Sequence, residues 1–240
     1  MTTYKELFGK YVQNVTTDPT STDAEGQIWY NSTSGTFKTA LGSFGAWSAG
    51  GSLNTARRGL AGAGTQTAAL GFGGAAATIL TASESYDGTS WTSTPSINTA
   101  RTLTAGAGSQ TAALCAGGFA PPSTGATEKY NGTSWTSVTS MNRPRRTLSG
   151  IAGNQTAALV FGGYVDNPPA PTGYATDSES YNGTSWTTAA TMATARYELG
   201  GFGTQTAALA ASGSPGAGPT STATEEFTNP TIAIRTITVS

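Results

Sequence analysis

The sequence predicts an all-β protein assembled from four copies of one four-strand unit. Three observations predict it. Four tryptophans, Trp47, Trp91, Trp135 and Trp186, stand 44, 44 and 51 residues apart. The same landmarks recur between them in the same order. No stretch carries a helical spacing of apolar residues, with the single exception of Tyr4 to Tyr11.

The landmarks define the unit. Ten residues after each tryptophan comes an arginine, Arg57, Arg101, Arg145 and Arg196. A glycine-rich turn and the text Gln-Thr-Ala-Ala-Leu follow, ending at Leu70, Leu114, Leu159 and Leu209. A Gly-Gly pair comes next, at Gly73-Gly74, Gly117-Gly118 and Gly162-Gly163, and degenerates to Ser212-Gly213 in the last copy. After a variable loop stand Glu84/Tyr86, Glu128/Tyr130, Glu179/Tyr181 and the altered Glu225/Phe227. A period in the forties marks an array of supersecondary units.

Each copy divides into four strands. In the second they read LTAGAG, QTAALCAGG, ATEKYN and SWTSV. A tight glycine turn joins the first pair. Asn-Gly or Asp-Gly, which accept positive φ, joins the second. Four short strands per 44–51 residues make one blade of a β-propeller. The first strands, LAGAG, LTAGAG, LSGIAG and LGGFG, would line the axis, where small side chains permit close approach. Four such strands predict four blades, or five if the hairpin around Trp29 contributes to another.

The arginine-led strand, the apolar strand ending in Gly-Gly, the Glu-x-Tyr strand and the tryptophan five residues later together resemble the kelch repeat. The resemblance runs over about residues 41–230 and implies a β-propeller. This version differs in its small, Ala- and Thr-rich inner strands. Ring closure is expected to join the chain ends: the Trp47 strand lacks a Glu-x-Tyr strand before it, and Thr224–Phe227 lacks a Trp strand after it. Residues 231–240, TIAIRTITVS, alternate apolar and polar residues and compete for the same place.

The first 40 residues stand apart, giving the division 1–40 and 41–240. They hold three of the four lysines. TTDPTSTDAE, residues 16–25, reads as an extended linker. Beyond it, Gly26 to Asn31 and Thr36 to Lys38 flank Ser-Thr-Ser-Gly as a β-hairpin.

Composition narrows the function. Charged residues are 10% of the chain and the net charge is −1. That gives no electrostatic footprint for nucleic acid or an anionic membrane. The densest basic cluster is Arg143, Arg145 and Arg146, a weak candidate phosphate site. No 18-residue apolar stretch exists, so no membrane insertion is expected. The N-terminus lacks the apolar core of a signal peptide. With no histidine, Ser-His-Asp and Cys-His catalysis and imidazole metal sites are excluded. The one cysteine, Cys115, lies in an apolar run and reads as a small buried residue. The acidic residues occupy repeat-equivalent positions or loops, so no paired-carboxylate site stands out. Neither enzymatic activity nor a cofactor or metal is expected.

The repeated residues read as scaffold. Tryptophan and tyrosine rings are expected to pack between blades. Arg and Glu form one pair per blade, worth about 0–1 kcal/mol if exposed, with an arginine ring for an anionic ligand as the competing reading. The triplets at Asn131 and Asn182 match glycosylation acceptors, but turn chemistry accounts for them, since Asp87 takes the equivalent place. Individuality lies in two Pro-rich loops, 120–127 and 164–177. Loops on a rigid scaffold carry binding residues, and Tyr164, Asp166, Asn167 and Tyr174 are the candidates for a contact surface.

Asp18-Pro19, Gly26-Gln27-Ile28-Trp29-Tyr30-Asn31 and Gly35-Thr36-Phe37-Lys38 are similar to the opening of many structural proteins of tailed bacteriophages. The resemblance spans about 25 residues. It implies a non-enzymatic virion component, of tail, fibre or capsid surface, assembled in the host cytoplasm. Ile28, Trp29, Tyr30 and Phe37 would make the attachment, other virion proteins and further copies of the chain would be the partners, and a host-surface glycan is the alternative ligand.

Overall fold

A computed structural model describes residues 4–7, 10–19, 27–39, 47–146, 151–166, 173–216 and 220–229. The chain divides into two compact units, residues 1–49 and 50–240. Among the described residues every regular element is a strand, and no helix long and apolar enough to cross a membrane occurs.

The first unit is a four-stranded sheet, β1 (Tyr4–Leu7), β2 (Lys10–Val15), β3 (Ile28–Asn31) and β4 (Thr36–Thr39), in sequential order. It replaces the extended segment expected from the sequence. It also overturns the helical reading of Tyr4 to Tyr11. Tyr4–Leu7 form β1, and Lys10 and Tyr11 open β2, antiparallel with Leu7 opposite Lys10. The β-branched Val12 and Val15 favour a pleated surface, and Val12 is buried. The β3–β4 hairpin forms as expected, with Asn31 opposite Thr36. β2 and β3 are parallel, which the sequence did not suggest.

Asp18 fastens this unit. Its carboxylate accepts hydrogen bonds from Trp29 Nε1 (3.0 Å), Asn31 Nδ2 (2.7 Å) and Lys38 Nζ (2.7 Å). The TTDPTSTDAE segment is therefore tied down at Asp18. The Lys38 ammonium foremost, with the Asn31 and Trp29 donors, holds the Asp18 carboxyl down to about 2. A carboxyl whose folded value is depressed stabilises the fold above its unfolded value, near 4, and the contribution is lost as pH falls toward 2. Trp29 fluorescence is expected to change between about pH 4 and 2. Asp18→Asn should abolish that transition, and an unchanged transition would assign it to another group.

The second unit contains four successive sheets. The first three have four strands each: β5 (Ala61–Thr65), β6 (Ala68–Phe72), β7 (Ser83–Tyr86) and β8 (Trp91–Thr94); β9 (Ala105–Gly108), β10 (Ala113–Ala116), β11 (Thr127–Tyr130) and β12 (Trp135–Val138); then β13 (Ile151–Gly153), β14 (Ala158–Phe161), β17 (Ser178–Tyr181) and β18 (Trp186–Ala189). A two-stranded ribbon, β15 (Tyr164–Val165) and β16 (Gly173–Tyr174), is inserted into the third. The fourth has three strands, β19 (Gly200–Gly203), β20 (Ala207–Ala211) and β21 (Thr224–Thr228). All pairs within these four sheets are antiparallel.

The strand boundaries follow the repeat landmarks. The β11–β12 turn takes four residues, because Tyr130 pairs with Trp135. Asn131 Oδ1 accepts the N–H groups of Thr133 (2.9 Å) and Ser134 (2.8 Å), an Asx turn that engages the glycosylation-like triplet. Asp87 does the same between β7 and β8, and the Ser90 and Thr89 donors hold its carboxyl far below the usual carboxylate range.

The inner strands stand side by side, β5 against β9, β9 against β13 and β13 against β19. Their small residues are required. A Cβ at Gly106 would come within 2.5 Å of the Gly62 carbonyl oxygen. No comparable packing joins β19 to β5 among the described residues.

Each junction between sheets repeats two polar fastenings, and the first two junctions add a third. The N–H of the second Gly-Gly residue donates to the arginine carbonyl of the next unit, as in Gly74 to Arg101 (2.9 Å), Gly118 to Arg145 (2.8 Å) and Gly163 to Arg196 (2.8 Å). A glutamine amide clamps two carbonyls of the preceding sheet: Gln110 reaches Ala69 (3.2 Å) and Tyr86 (2.6 Å), Gln155 reaches Ala113 and Tyr130, and Gln205 reaches Ala158 and Tyr181. The third fastening is apolar. Trp135 meets Phe72 edge-on at 4.9 Å, and Trp186 Nε1 donates to Thr127 Oγ1 at 3.1 Å. Trp135 and Trp186 thus pack between sheets as expected, each also lying on its own hairpin's tyrosine, 5.1 Å for Tyr130–Trp135 and 4.8 Å for Tyr181–Trp186, whereas Trp91 is half-buried and Trp47 exposed.

The repeated Arg–Glu pairs form, one per sheet, and they are buried, a point the sequence left open. Arg57, Arg101, Arg145 and Arg196 have side chains 0% exposed, bound to Glu84, Glu128, Glu179 and Glu225 at 2.7–2.9 Å. Each glutamate also accepts backbone N–H groups just ahead of its arginine, as Glu128 does from Asn98 and Thr99. The arginine's other Nη donates to a carbonyl of the loop before the glutamate strand, as Arg101 does to Ala126. Burial pulls Arg145 down to about 10 against the pull of Glu179, which leaves it charged at neutral pH. No arginine of this set is open to an anionic ligand. Cys115 is fully buried, as expected, and burial pushes its thiol up.

Candidate functional site

In every unit the residue after the buried arginine bridges through its backbone to the residue after the Gly-Gly pair: Arg58 to Ala75, Thr102 to Phe119, Arg146 to Tyr164 and Tyr197 to Ser214. The bridges lie where first strands begin and second strands end, so the two Pro-rich loops emerge there too. Five of these eight positions carry large aromatic or cationic side chains, and the loops add more.

The Arg146 guanidinium lies 4.7 Å from the centroids of both Phe119 and Tyr164, a cation held on two π faces. Its Nη1 donates to Asp166 Oδ2 at 2.6 Å. The same oxygen accepts the Ser123 N–H at 2.8 Å and the Ser123 hydroxyl, tying loop 120–127 to the ribbon. Tyr164 meets the edge of Tyr174 at 5.5 Å, and Tyr174 stacks on Tyr197 at 5.0 Å with 20° between planes. The result is one row, Phe119–Arg146–Tyr164–Tyr174–Tyr197, with the exposed ring of Tyr174 between the other two tyrosines.

Of the residues proposed from sequence, Tyr164, Asp166 and Tyr174 are brought together; Asn167 lies outside the described residues. Asp166 is a tether, with its Oδ2 engaged by Arg146 and Ser123, and offers no free base. Phe119 and Tyr197 were missed, and Arg146 was named only as part of the basic cluster. The signal for Phe119 and Tyr197 was positional: each is adjacent to a repeat landmark, where the other copies carry a different residue. The suggested basic cluster dissolves, because Arg143 pairs with Asp177, Arg145 with Glu179 and Arg146 with Asp166. Among the described residues no group of three or more acidic or thiol side chains is placed to hold a metal ion.

No protein-family model matches the chain, and comparison with curated proteins finds no match.

The attachment candidates of the first unit separate by face. Ile28, Tyr30 and Phe37 share one side of the β3–β4 hairpin, with Tyr30 opposite Phe37 and their rings 5.1 Å apart. Ile28 is 54% and Phe37 58% exposed. Trp29 points to the opposite side, where it is buried and bonded to Asp18. It positions the hairpin and leaves the other three as the available surface.

A cavity of about 480 Å³ lies between the third and fourth sheets. Its lining includes Phe161, Ser178, Met192, Ala208, Ala210 and Phe227. Phe161 and Ser178 are the repeat equivalents of Phe72 and Ser83, the wall against which Trp135 sits. The cavity therefore marks the place of a tryptophan that the fourth sheet, ending at β21, does not supply.

Proposed function

We propose that the chain is a non-enzymatic structural protein of a tailed-bacteriophage virion, in the tail, a fibre or the capsid surface, with a four-bladed kelch-like propeller (five blades being the alternative) as an assembly or attachment module. The observation that carries this reading is the use to which the repeated charged residues are put. Each repeat arginine and glutamate is spent on internal fastening, so the copies make a scaffold. What varies is displayed outward, as the Ile28/Tyr30/Phe37 face and the aromatic row. The N-terminal resemblance to phage structural proteins supports the setting. Other virion proteins and further copies of the chain are the partners in this reading, assembled in the host cytoplasm. Quantitative mass spectrometry of purified particles tests it: a fixed copy number per particle is expected, and absence from particles would sink the proposal.

A specific observation favours a second reading, a glycan-binding adhesin. Tyr174, exposed yet braced by Tyr164 and Tyr197, offers a rigid aromatic face of the kind that stacks on a sugar ring. Binding on a glycan array that disappears in Tyr174→Ala would support it; binding unaffected by that substitution would place recognition elsewhere.

A further inference from the structure

The fastenings that join sheets one to two, two to three and three to four have a fourth, unused set at the two ends of the row. Gln66 is the repeat equivalent of Gln110, Gln155 and Gln205, yet it is exposed and has no partner among the described residues. The carbonyls it would clamp, by equivalence, are those of Ala208 and Phe227 in the fourth sheet. Gly213 is the equivalent of Gly74, Gly118 and Gly163, but its N–H has no arginine carbonyl among the described residues; the matching acceptor, Arg57 O, belongs to the first sheet.

The apolar faces repeat the pattern. Tyr130 and Trp135, and Tyr181 and Trp186, are buried against a preceding sheet, whereas Tyr86 and Trp91 are only half-buried. At the other end Phe202, which stands where the earlier copies have Ala63, Ala107 and Ala152, is 58% exposed. The first sheet therefore presents the plug of a junction and the fourth presents its socket. Among the described residues of one chain, β19 has no packing on β5 comparable to that between the other inner strands.

We propose that the socket end of one copy receives the plug end of a second copy, head to tail, as a fourth junction of the same kind as the three inside the chain. Gln66 of the incoming copy clamps Ala208 and Phe227 carbonyls, its Arg57 carbonyl accepts the Gly213 N–H, and its Tyr86 and Trp91 cover Phe202 and Leu209. The incoming copy also brings Trp47, which is 105% exposed and outside any strand. Trp47 precedes Arg57 by ten residues, as each sheet-closing tryptophan precedes the next arginine. Gly50 and Gly51, which follow it in the chain, lie against Tyr86 and Thr89. In the junction it supplies the missing indole between Phe161 and Ser178 and the missing strand beside β21. Such an interface is heterologous, and two copies close it into a ring if the rotation permits.

The test is the mass of the full chain in solution, by light scattering across a dilution series. One chain is 24.2 kDa, and at least twice that mass is expected. Trp47→Ala and Gln66→Ala alter exposed side chains, so folding should survive. Each should raise the concentration for half-dissociation about tenfold or more, as for an interface anchor. Phe37→Asp, on the first unit, should leave association unchanged. A single-chain mass at every concentration would overturn the proposal, and Trp47 shielded from a quencher in that monomer would assign the socket to the chain's own end. Association lost in Phe37→Asp, or untouched by both Trp47→Ala and Gln66→Ala, would overturn it as well.

Discussion

Glu128→Ala is expected to destabilise the second unit by about 3–5 kcal/mol, the cost of leaving a buried charge without its partner. The carboxylate holds three groups at once. Arg101 Nη2 donates to it at 2.7 Å, and the N–H groups of Asn98 and Thr99 donate at 2.6 and 3.2 Å. Both side chains of the pair are essentially inaccessible to water. Removing Glu128 strands the Arg101 guanidinium and unties the segment that carries the chain from one sheet into the next. Glu225→Ala, at the equivalent position of the fourth sheet, should cost visibly less, because Glu225 is 24% exposed and water can replace part of what it gives Arg196. Denaturant midpoints of the two variants make the comparison. Equal, small losses would show that the pairs are no more than surface ion pairs. Replacing Arg101 and Glu128 together with apolar residues of similar volume should recover much of the loss, since the penalty belongs to the unpaired charge rather than to the absence of the pair.

How much of this was legible in the sequence depends on whether a residue's role is set within its own copy or by a neighbour. The strands and hairpin turns are local. Asp87 and Asn131 announced their turns because a side-chain oxygen reaches backbone N–H groups two and three residues on. The pairing of arginine with glutamate was legible from their common period, but its burial was not: the period gives no solvent exposure, and Arg101 is enclosed by its own unit's loops. The Gln-Thr-Ala-Ala-Leu text was visible four times, yet the clamp made by its glutamine was missed, because its acceptors are backbone carbonyls and leave no trace in side-chain identity. The same holds for Asp18, whose partners Trp29, Asn31 and Lys38 are 11 to 20 residues away. At the candidate site, Tyr164, Asp166 and Tyr174 were found because the loop is long and unrepeated. Arg146 was read with Arg143 and Arg145 as a basic cluster and Tyr197 was not singled out, because both lie inside the repeat frame, though the guanidinium and the ring complete the row.

Trp186→Ala is expected to cost about 3–5 kcal/mol, the range for emptying a buried aromatic site. Trp186 is buried on the wall of the preceding sheet with Leu114, Ala116 and Met141 in the same cluster, and its Nε1 bond to Thr127 at 3.1 Å crosses the junction. Truncation removes the ring from that wall, leaves Tyr181 without its ring partner, and leaves the Thr127 hydroxyl with only its bond to the Gly125 carbonyl. The molecule already contains the outcome in another place: where the fourth sheet lacks a tryptophan strand, a cavity of about 480 Å³ stands between it and the third, and Phe227 is only partly buried. Trp91→Ala serves as the internal control. Trp91 has the same ring contact, 5.1 Å from Tyr86, but is only half-buried, with no preceding sheet packed on it among the described residues. If the junction is the source of the stabilisation, Trp186→Ala must lower the denaturant midpoint well beyond Trp91→Ala, measured on dilute protein where copies are separate. Equal losses would assign the tryptophan's worth to its own hairpin, and the sheets would then be held together by the glutamine clamps and glycine–arginine bonds rather than by their rings.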